Sequence, residues 1–390
     1  MAKCTHCGNN PTPHFFAWLS ESGIVVMTPF NRWVLHNPVG RYIDQLFDKL
    51  FLLFIGLLRI LRIAKFDSDF DRATIIRTKV FWEEALRRGI QMENLRILNK
   101  EVDFYKAVVG NKKIYFTSLP RPQNYRGDAI YWMDDKGALK RKFIEAEIPV
   151  ARGGVFTSYQ PLVKHFREIE KPVIVKPRLG SRGRHTTTFI FTEEQLTQAF
   201  ERAKELCHWV IMEEHLVGGV FRGTVIGGKV VGVLGGDPPR VTGDGIHTIR
   251  ELIFLKNAAR PERVGEVVIS PSLTEFLARQ GFRLETILPT GKVVDLSEKI
   301  GVAYGGTSYE ITEETHPEIK ATLERAAGVV NDPLLGFDFI IADPTQSPEE
   351  QKWGIIECNG MPFINLHHYP LYGKPNNVAR HLWDLLEREG

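Results

Sequence analysis

Two stretches of this 390-residue chain hold side chains that belong together chemically: KPVIVKPRLGSRGRHT, from Lys171, and WGIIECNG, from Trp353. In the first, Lys176 ends an apolar strand and precedes a loop where Gly180 and Gly183 let backbone amides approach and wrap phosphate oxygens. Ser181 lies in that loop, and Arg182 and Arg184 add positive charge. In the second, the two-residue period of a strand puts Glu357 and Asn359 on one face and Ile356 and Cys358 on the other. Asp338 is the acid inside the apolar run FDFII, and a carboxylate in such a setting needs a partner. Two carboxylates and an amide, completed by phosphate oxygens and water, suit nucleotide-bound magnesium, with manganese as the alternative ion. Each residue alone reads more readily as part of a polar strand face than as a ligand; the combination of phosphate loop and hard oxygen ligands points to a nucleotide. The loop matches neither the Walker pattern nor the dinucleotide fingerprint, so its context has to carry the reading.

The elements that would position these groups follow a mixed α+β order. DKGALKRKFIEAEIPV gives a helix closed by Pro149, followed by a linker around Gly153-Gly154 and the strand PVIVKP. A helix (TEEQLTQAFERAKEL), a strand (WVIMEE), a two-strand meander (GTVIGGKVVGVL), a turn-rich loop (GGDPPRVTGDG) and a helix (HTIRELIFLKN) come next. GFDFIIAD and WGIIECN read as a hairpin joined by a polar loop. Upstream, residues 67–134 read as a small α/β domain with a helix in TKVFWEEALRRGI and a hairpin turning at Gly110-Asn111.

Residues 1–66 form an extension whose apolar segment, 46–65, has an uncharged run only from Leu50 to Leu58, too short to span a bilayer. Lys49, Arg59, Arg62 and Lys65 flank or interrupt it, so it reads either as a core-packing helix or as a peripheral membrane or protein contact. Cys4 and Cys7 resemble half of a zinc ribbon, with His6 and His14 nearby, but no second pair follows in sequence and zinc is not expected there. Fifty basic residues against 47 acidic ones are too balanced to mark a nucleic-acid binder. Four cysteines without a disulfide framework and a polar N-terminus lacking a signal peptide point to the cytoplasm, with oligomerisation left open.

The order Lys140, Lys176, glycine loop, Glu213-Glu214, Asp338, Glu357, Asn359 resembles the ATP-grasp superfamily. VTGDGIHTIRELI, GTSYEITEETHPE, GFDFIIAD, ECNGMPFINLHHYP and NNVARHLWDLL are similar to the ATP-grasp module of cyanophycin synthetases. The resemblance implies two α+β subdomains gripping ATP over residues 135–390, preceded by a pre-ATP-grasp-like domain. It further implies a ligase that turns a carboxylate into an acyl phosphate for attack by an amine, the substrate being an amino acid or peptide. Lys140 and Lys176 would touch the nucleotide phosphates, and Glu213 to Leu216, including Glu214, would form the hinge against adenine. Asp338, Glu357 and Asn359 would hold the metal, and His367 would contact substrate or accept a proton.

Departures from the family pattern sit on the substrate side. Gly236, Ser297-Glu298 and Asn365 stand where such modules tend to carry basic residues, and Val220 occupies the usual ribose-binding acid position. Arg222, Arg240 and Lys299 are the candidate replacements, and the chain ends at Gly390 without the second ligase module of a cyanophycin synthetase. Two rival readings remain: a kinase-like phosphoryl transferase and a non-catalytic nucleotide-binding protein.

Overall fold

The computed structural model describes Cys4, Cys7 and residues 12–122, 125, 127–180 and 183–388. Helices α1 (His14–His36) and α2 (Pro38–Ile60) come first, joined at Asn37, whose side chain accepts a hydrogen bond from Val39 N. The apolar segment 46–65 does not enter a core for most of its length: Phe47, Leu53, Phe54 and Leu57 of α2 are exposed, and Ile60 is 80% exposed. Its packed positions include Ile55 and Leu58, in a cluster with Ala64, Leu95 and Phe104, and Phe51, whose ring lies edge-on to Phe104. Among the described residues no helix is long and apolar enough to cross a membrane.

Strands β1 (Ala64–Asp67), β2 (Met92–Ile97), β3 (Lys100–Val109) and β4 (Lys112–Phe116) form an antiparallel sheet in that order, covered by α3 (Ile76–Arg87). The expected turn is present, with Val109 paired to Lys112 across Gly110-Asn111.

Two further antiparallel sheets with their helices follow. Helix α4 (Lys136–Glu145) begins at Asp135, whose carboxylate caps Gly137 N and Ala138 N. It is followed by β5 (Gly153–Phe156), α5 (Tyr159–Glu168), β6 (Val173–Pro177), β7 (Thr187–Ile190), α6 (Glu193–Lys204) and β8 (Val210–Glu214), with strand order β5-β8-β6-β7. A Thr192/Gln195 capping box starts α6, and Leu196, Ala199, Phe200 and Ala203 pack it on the sheet.

The second sheet uses β9 (Gly219–Ile226) and β10 (Lys229–Gly236). A small insertion then holds β11 (Arg240–Thr242), α7 (Ile249–Ala259), α8 (Pro271–Arg279) and β12 (Val293–Asp295) around its own core. The turn-rich loop expected at 235–245 thus contains a strand, because Val241 pairs with Val294, fifty-three positions on. Next come β13 (Tyr309–Glu310), α9 (Pro317–Val330), β14 (Leu334–Ile341), β15 (Gly354–Asn359), α10 (Asn365–His368) and α11 (Val378–Arg388), and the sheet runs β13-β10-β9-β14-β15.

The last helix returns to the first sheet. Trp383 of α11 stacks on Phe81 of α3 with ring centroids 4.2 Å apart and donates its indole N–H to Phe81 O at 2.9 Å. Trp383 is fully buried. Trp383→Ala is expected to cost about 3–5 kcal/mol, read from urea unfolding. Trp383→Phe keeps a stacked ring and loses only the hydrogen bond, so its loss should be clearly smaller; equal losses would remove the stack from the account.

Candidate functional site

The carboxylates are brought together by strand register. Arg222 of β9, Asp338 of β14 and Glu357 of β15 stand directly opposite one another across three adjacent strands. In the next row Thr224, Gly336 and Asn359 align. The β14/β15 pairing shifts between Asp338 and Phe339, so Ile356 is the extra residue of a bulge. The bulge leaves Phe337 and Phe339 paired with Cys358 and Ile355 in the core while Asp338 and Glu357 face the cleft. Asp338 accepts a bidentate pair from Arg222, 2.6 Å from Nε and 2.7 Å from Nη2. The Nδ2 of Asn359 is buried without a hydrogen-bond partner, a donor still open to a ligand oxygen.

The facing wall is built on one buried carboxylate. Lys176 Nζ lies 2.9 Å from Glu213 Oε2, and Lys140 Nζ, from α4, lies 2.9 Å from Glu213 Oε1. The Lys140 contact lacks hydrogen-bond alignment, which leaves its protons for another acceptor. Burial alone would raise the Glu213 pKa, but the charges of Lys176 and Lys140 outweigh it and hold the carboxyl below its ordinary value. Burial also pulls the Lys140 ammonium down, against the opposing charge of Glu213.

Helix α4 joins the two walls. Lys136 Nζ donates to Gly180 O at 2.8 Å and sits 3.8 Å from Glu357 Oε1. Arg178, just beyond β6, clasps the capping residue Asp135 at 2.7 and 2.6 Å. Sequence reasoning missed Lys136, Asp135 and Arg178. The available signal was the four-residue step from Lys136 to Lys140, which puts both lysines on one helix face.

The remaining expected residues divide. Gly180 and Gly183 take positive φ, 110° and 61°, whereas Ser181 and Arg182 lie outside the described residues. Leu216 is buried, but the Glu214 carboxylate is engaged by Arg152 and Lys352. Lys299 lines a cavity of about 300 Å³ with Gly183, Thr188, Arg202, Arg279 and Glu298. Arg240 is held at the β11/β12 edge by Asp295 and Asp237. His367 is buried and bonded through both ring nitrogens, to Thr224 Oγ1 at 2.8 Å and Glu310 Oε2 at 2.6 Å, which occupies the positions a substrate would use. Gly232 makes room for it, since a Cβ there would lie 2.4 Å from the imidazole. At Gly236 a Cβ would come within 3.0 Å of Thr307 O, so the backbone of the 301–307 loop crowds the position where a basic side chain was expected. Cys4 and Cys7 do not lack partners: their sulfurs lie with the Nε2 atoms of His14 and His185, the last contributed by the glycine loop.

Glu213→Gln would leave two buried ammonium groups without their shared anion, an expected cost of about 3–5 kcal/mol near neutral pH. Because the folded pKa of Glu213 is depressed, its contribution is complete above the unfolded glutamate pKa and is lost as pH falls through the lower folded value. The stability gap between wild type and variant, followed by urea titration, should therefore close in acid. A gap that stays constant down to strongly acidic pH would exclude this role.

No family model matches the chain. It is 29% identical over 321 residues to the glutathione biosynthesis bifunctional protein GshAB of Listeria monocytogenes, covering 80% of this chain and 41% of that protein. It is 31% identical over 266 residues to the cyanophycin synthetase of a Synechocystis species, covering 66% of this chain and 30% of that protein. The chain thus spans less than half the length of these curated relatives. Its fold is shared with a bifunctional glutathione synthetase from Pasteurella multocida, with a TM-score of 0.59 and 24% identity over 82% of this chain and 44% of that one. With these relatives and this fold, the chain belongs to the ATP-grasp superfamily.

Proposed function

We propose that the chain is an ATP-dependent carboxylate–amine ligase acting on an amino acid or peptide, with magnesium as its metal. The observation that carries this reading is the pairing of a lysine-rich phosphate wall with a carboxylate row, spanned by Lys136. A substrate carboxylate oxygen attacks the γ-phosphorus of ATP and ADP leaves; an amine then attacks the acyl carbon, phosphate leaves, and the amine gives up a proton. Neither step needs a covalent protein intermediate, so the work of the protein is positioning and charge neutralisation.

Lys140, Lys176 and the loop amides would hold phosphate oxygens. Glu357 offers a carboxylate on the cleft face and Asn359 its Oδ1 beside it to a hard divalent ion, the unpartnered Nδ2 of Asn359 being a donor for a ligand oxygen; Asp338 would join them by exchanging Arg222, which holds both its oxygens, for the ion. When bound, that ion would neutralise charge on the transferring phosphoryl group. The cavity beside Gly183 carries Arg202, Arg279 and Lys299 together with Glu266, Glu275 and Glu298, a mixed lining suited to a zwitterionic substrate.

Residues 135–390 would be the ligase module, 67–134 a docking domain and 1–66 an extension, all in the cytoplasm. The exposed apolar face of α2, with Lys49, Arg59 and Lys65, suits an anionic membrane surface. Leu53→Glu with Phe54→Glu is expected to abolish co-sedimentation with phosphatidylserine vesicles; retention of binding by this variant would remove the membrane role.

ADP release should require a carboxylate and an amine together, with a mass-detected amide product, and Glu357→Gln should lower turnover by at least a hundredfold. Release with one hydroxyl acceptor and a phosphorylated product would instead make the chain a kinase. Undiminished ADP formation in Glu357→Gln would overturn the metal assignment.

A further inference from the structure

We propose that Cys4, Cys7, His14 and His185 form a structural zinc site that clasps the N-terminal segment to the phosphate loop. The four ligand atoms all lie within 4.8 Å of one another. Cys7 Sγ is 3.4 Å from His14 Nε2 and 3.5 Å from His185 Nε2, and Cys4 Sγ is 3.6 Å from His185 Nε2. A tetrahedron with ordinary zinc–sulfur and zinc–nitrogen bonds has a sulfur-to-nitrogen edge of about 3.5 Å. All three distances fall on that edge.

The acceptors behind the two rings point the same way. His185 Nδ1 lies 2.7 Å from the carbonyl oxygen of Arg202, and His14 Nδ1 lies 3.1 Å from Glu205 Oε2. A proton on each Nδ1, facing these acceptors, would leave a lone pair on each Nε2 directed at the sulfurs. Backbone carbonyl and carboxylate acceptors behind metal-bound imidazoles serve this orienting role. Thiol–imidazole hydrogen bonds alone account for the contacts less well, because His185 Nε2 is shared by two sulfurs and Cys7 Sγ by two rings. Cys7 and His185 are each 1% exposed, and two cysteines with two histidines complete a four-coordinate shell with no position left for substrate.

The site joins distant parts of the chain. His14 opens α1, and His185 lies between β6 and β7, two residues after Gly183. From the clasp, α1 runs past His208 to the segment just before α4: Ser22 Oγ accepts from His208 N at 3.1 Å, Thr28 Oγ1 donates to Tyr131 O at 3.3 Å, and Arg32 Nε donates to Asp128 at 2.6 Å. Zinc binding would thus tether both this strap and the loop that carries Gly180 and Gly183, making ATP affinity sensitive to the metal.

The test is metal content. Full-length protein reconstituted with zinc and gel-filtered should hold one zinc per chain by mass spectrometry, and cobalt should give the intense visible bands of a tetrahedral thiolate site. Cys4→Ser with Cys7→Ser should lose both signals, and chelation of the wild type should raise the KM for ATP several-fold and expose the N-terminal segment to protease. If His185→Ala fails to fold, His14→Ala, at the helix start, reports the same loss of zinc. Absence of stoichiometric zinc after reconstitution, or cobalt bands unchanged in the double cysteine variant, would overturn the site. An unchanged KM and protease pattern in zinc-free protein would overturn the clasp.

Discussion

The candidate site depends on one carboxylate placed between two ammonium groups. Glu213 is on β8, Lys176 on the neighbouring strand β6 and Lys140 on α4, so the triad pins a helix to a sheet through a contact that apolar packing would not direct. Burying three charges is costly, and a well-packed apolar substitute could be at least as stable. What the charged version adds is a net positive group at a fixed place, with Lys140 protons left unaligned to Glu213. Everything else on α4 inherits that placement. Asp135 caps the helix and takes Arg178, and Lys136 reaches across to Gly180 and Glu357.

Much of this was legible in the sequence because strand alternation and glycine spacing are local signals. Glu357 and Asn359 share a face as their spacing requires, and Lys176 ends a strand before positive-φ glycines. What stayed hidden was set by register and by long-range closure. The bulge at Ile356 depends on which residue of β14 each residue of β15 meets, and nothing in WGIIECNG announces it. His367 read equally well as a reacting or a structural histidine until Glu310 and Thr224 were found on its two nitrogens. Counting cysteines shows only Cys4 and Cys7 at the N-terminus, because His185, whose imidazole lies against both sulfurs, comes from a loop read as phosphate-binding, 171 positions beyond His14.

The sparsely basic substrate side also has a structural reason. Gly236 meets the backbone of the 301–307 loop, so a side chain there would require that loop to move. Positive charge is found instead at Arg222, within the carboxylate row, and at Arg202, Arg279 and Lys299 around the neighbouring cavity. The positive charge thus sits on other elements than the one where the family resemblance places it, apart from the wall built on Lys140 and Lys176.

Asp338 and Glu357 lie directly opposite each other on paired strands, an arrangement that like charge destabilises. Two cations flank the pair: Arg222, bidentate on Asp338 from the β9 side, and Lys136, near Glu357 from the α4 side. The two differ in mobility of attachment. Arg222 belongs to a central strand of the same sheet and moves with the carboxylates, whereas Lys136 belongs to α4 and also holds the carbonyl of Gly180. The electrostatic balance of the row is therefore tied to the position of the phosphate loop. Displacing the loop draws on the ammonium that offsets Glu357, and any positive charge arriving beside Glu357 weakens the hold of Lys136 there and, through the same atom, on the loop.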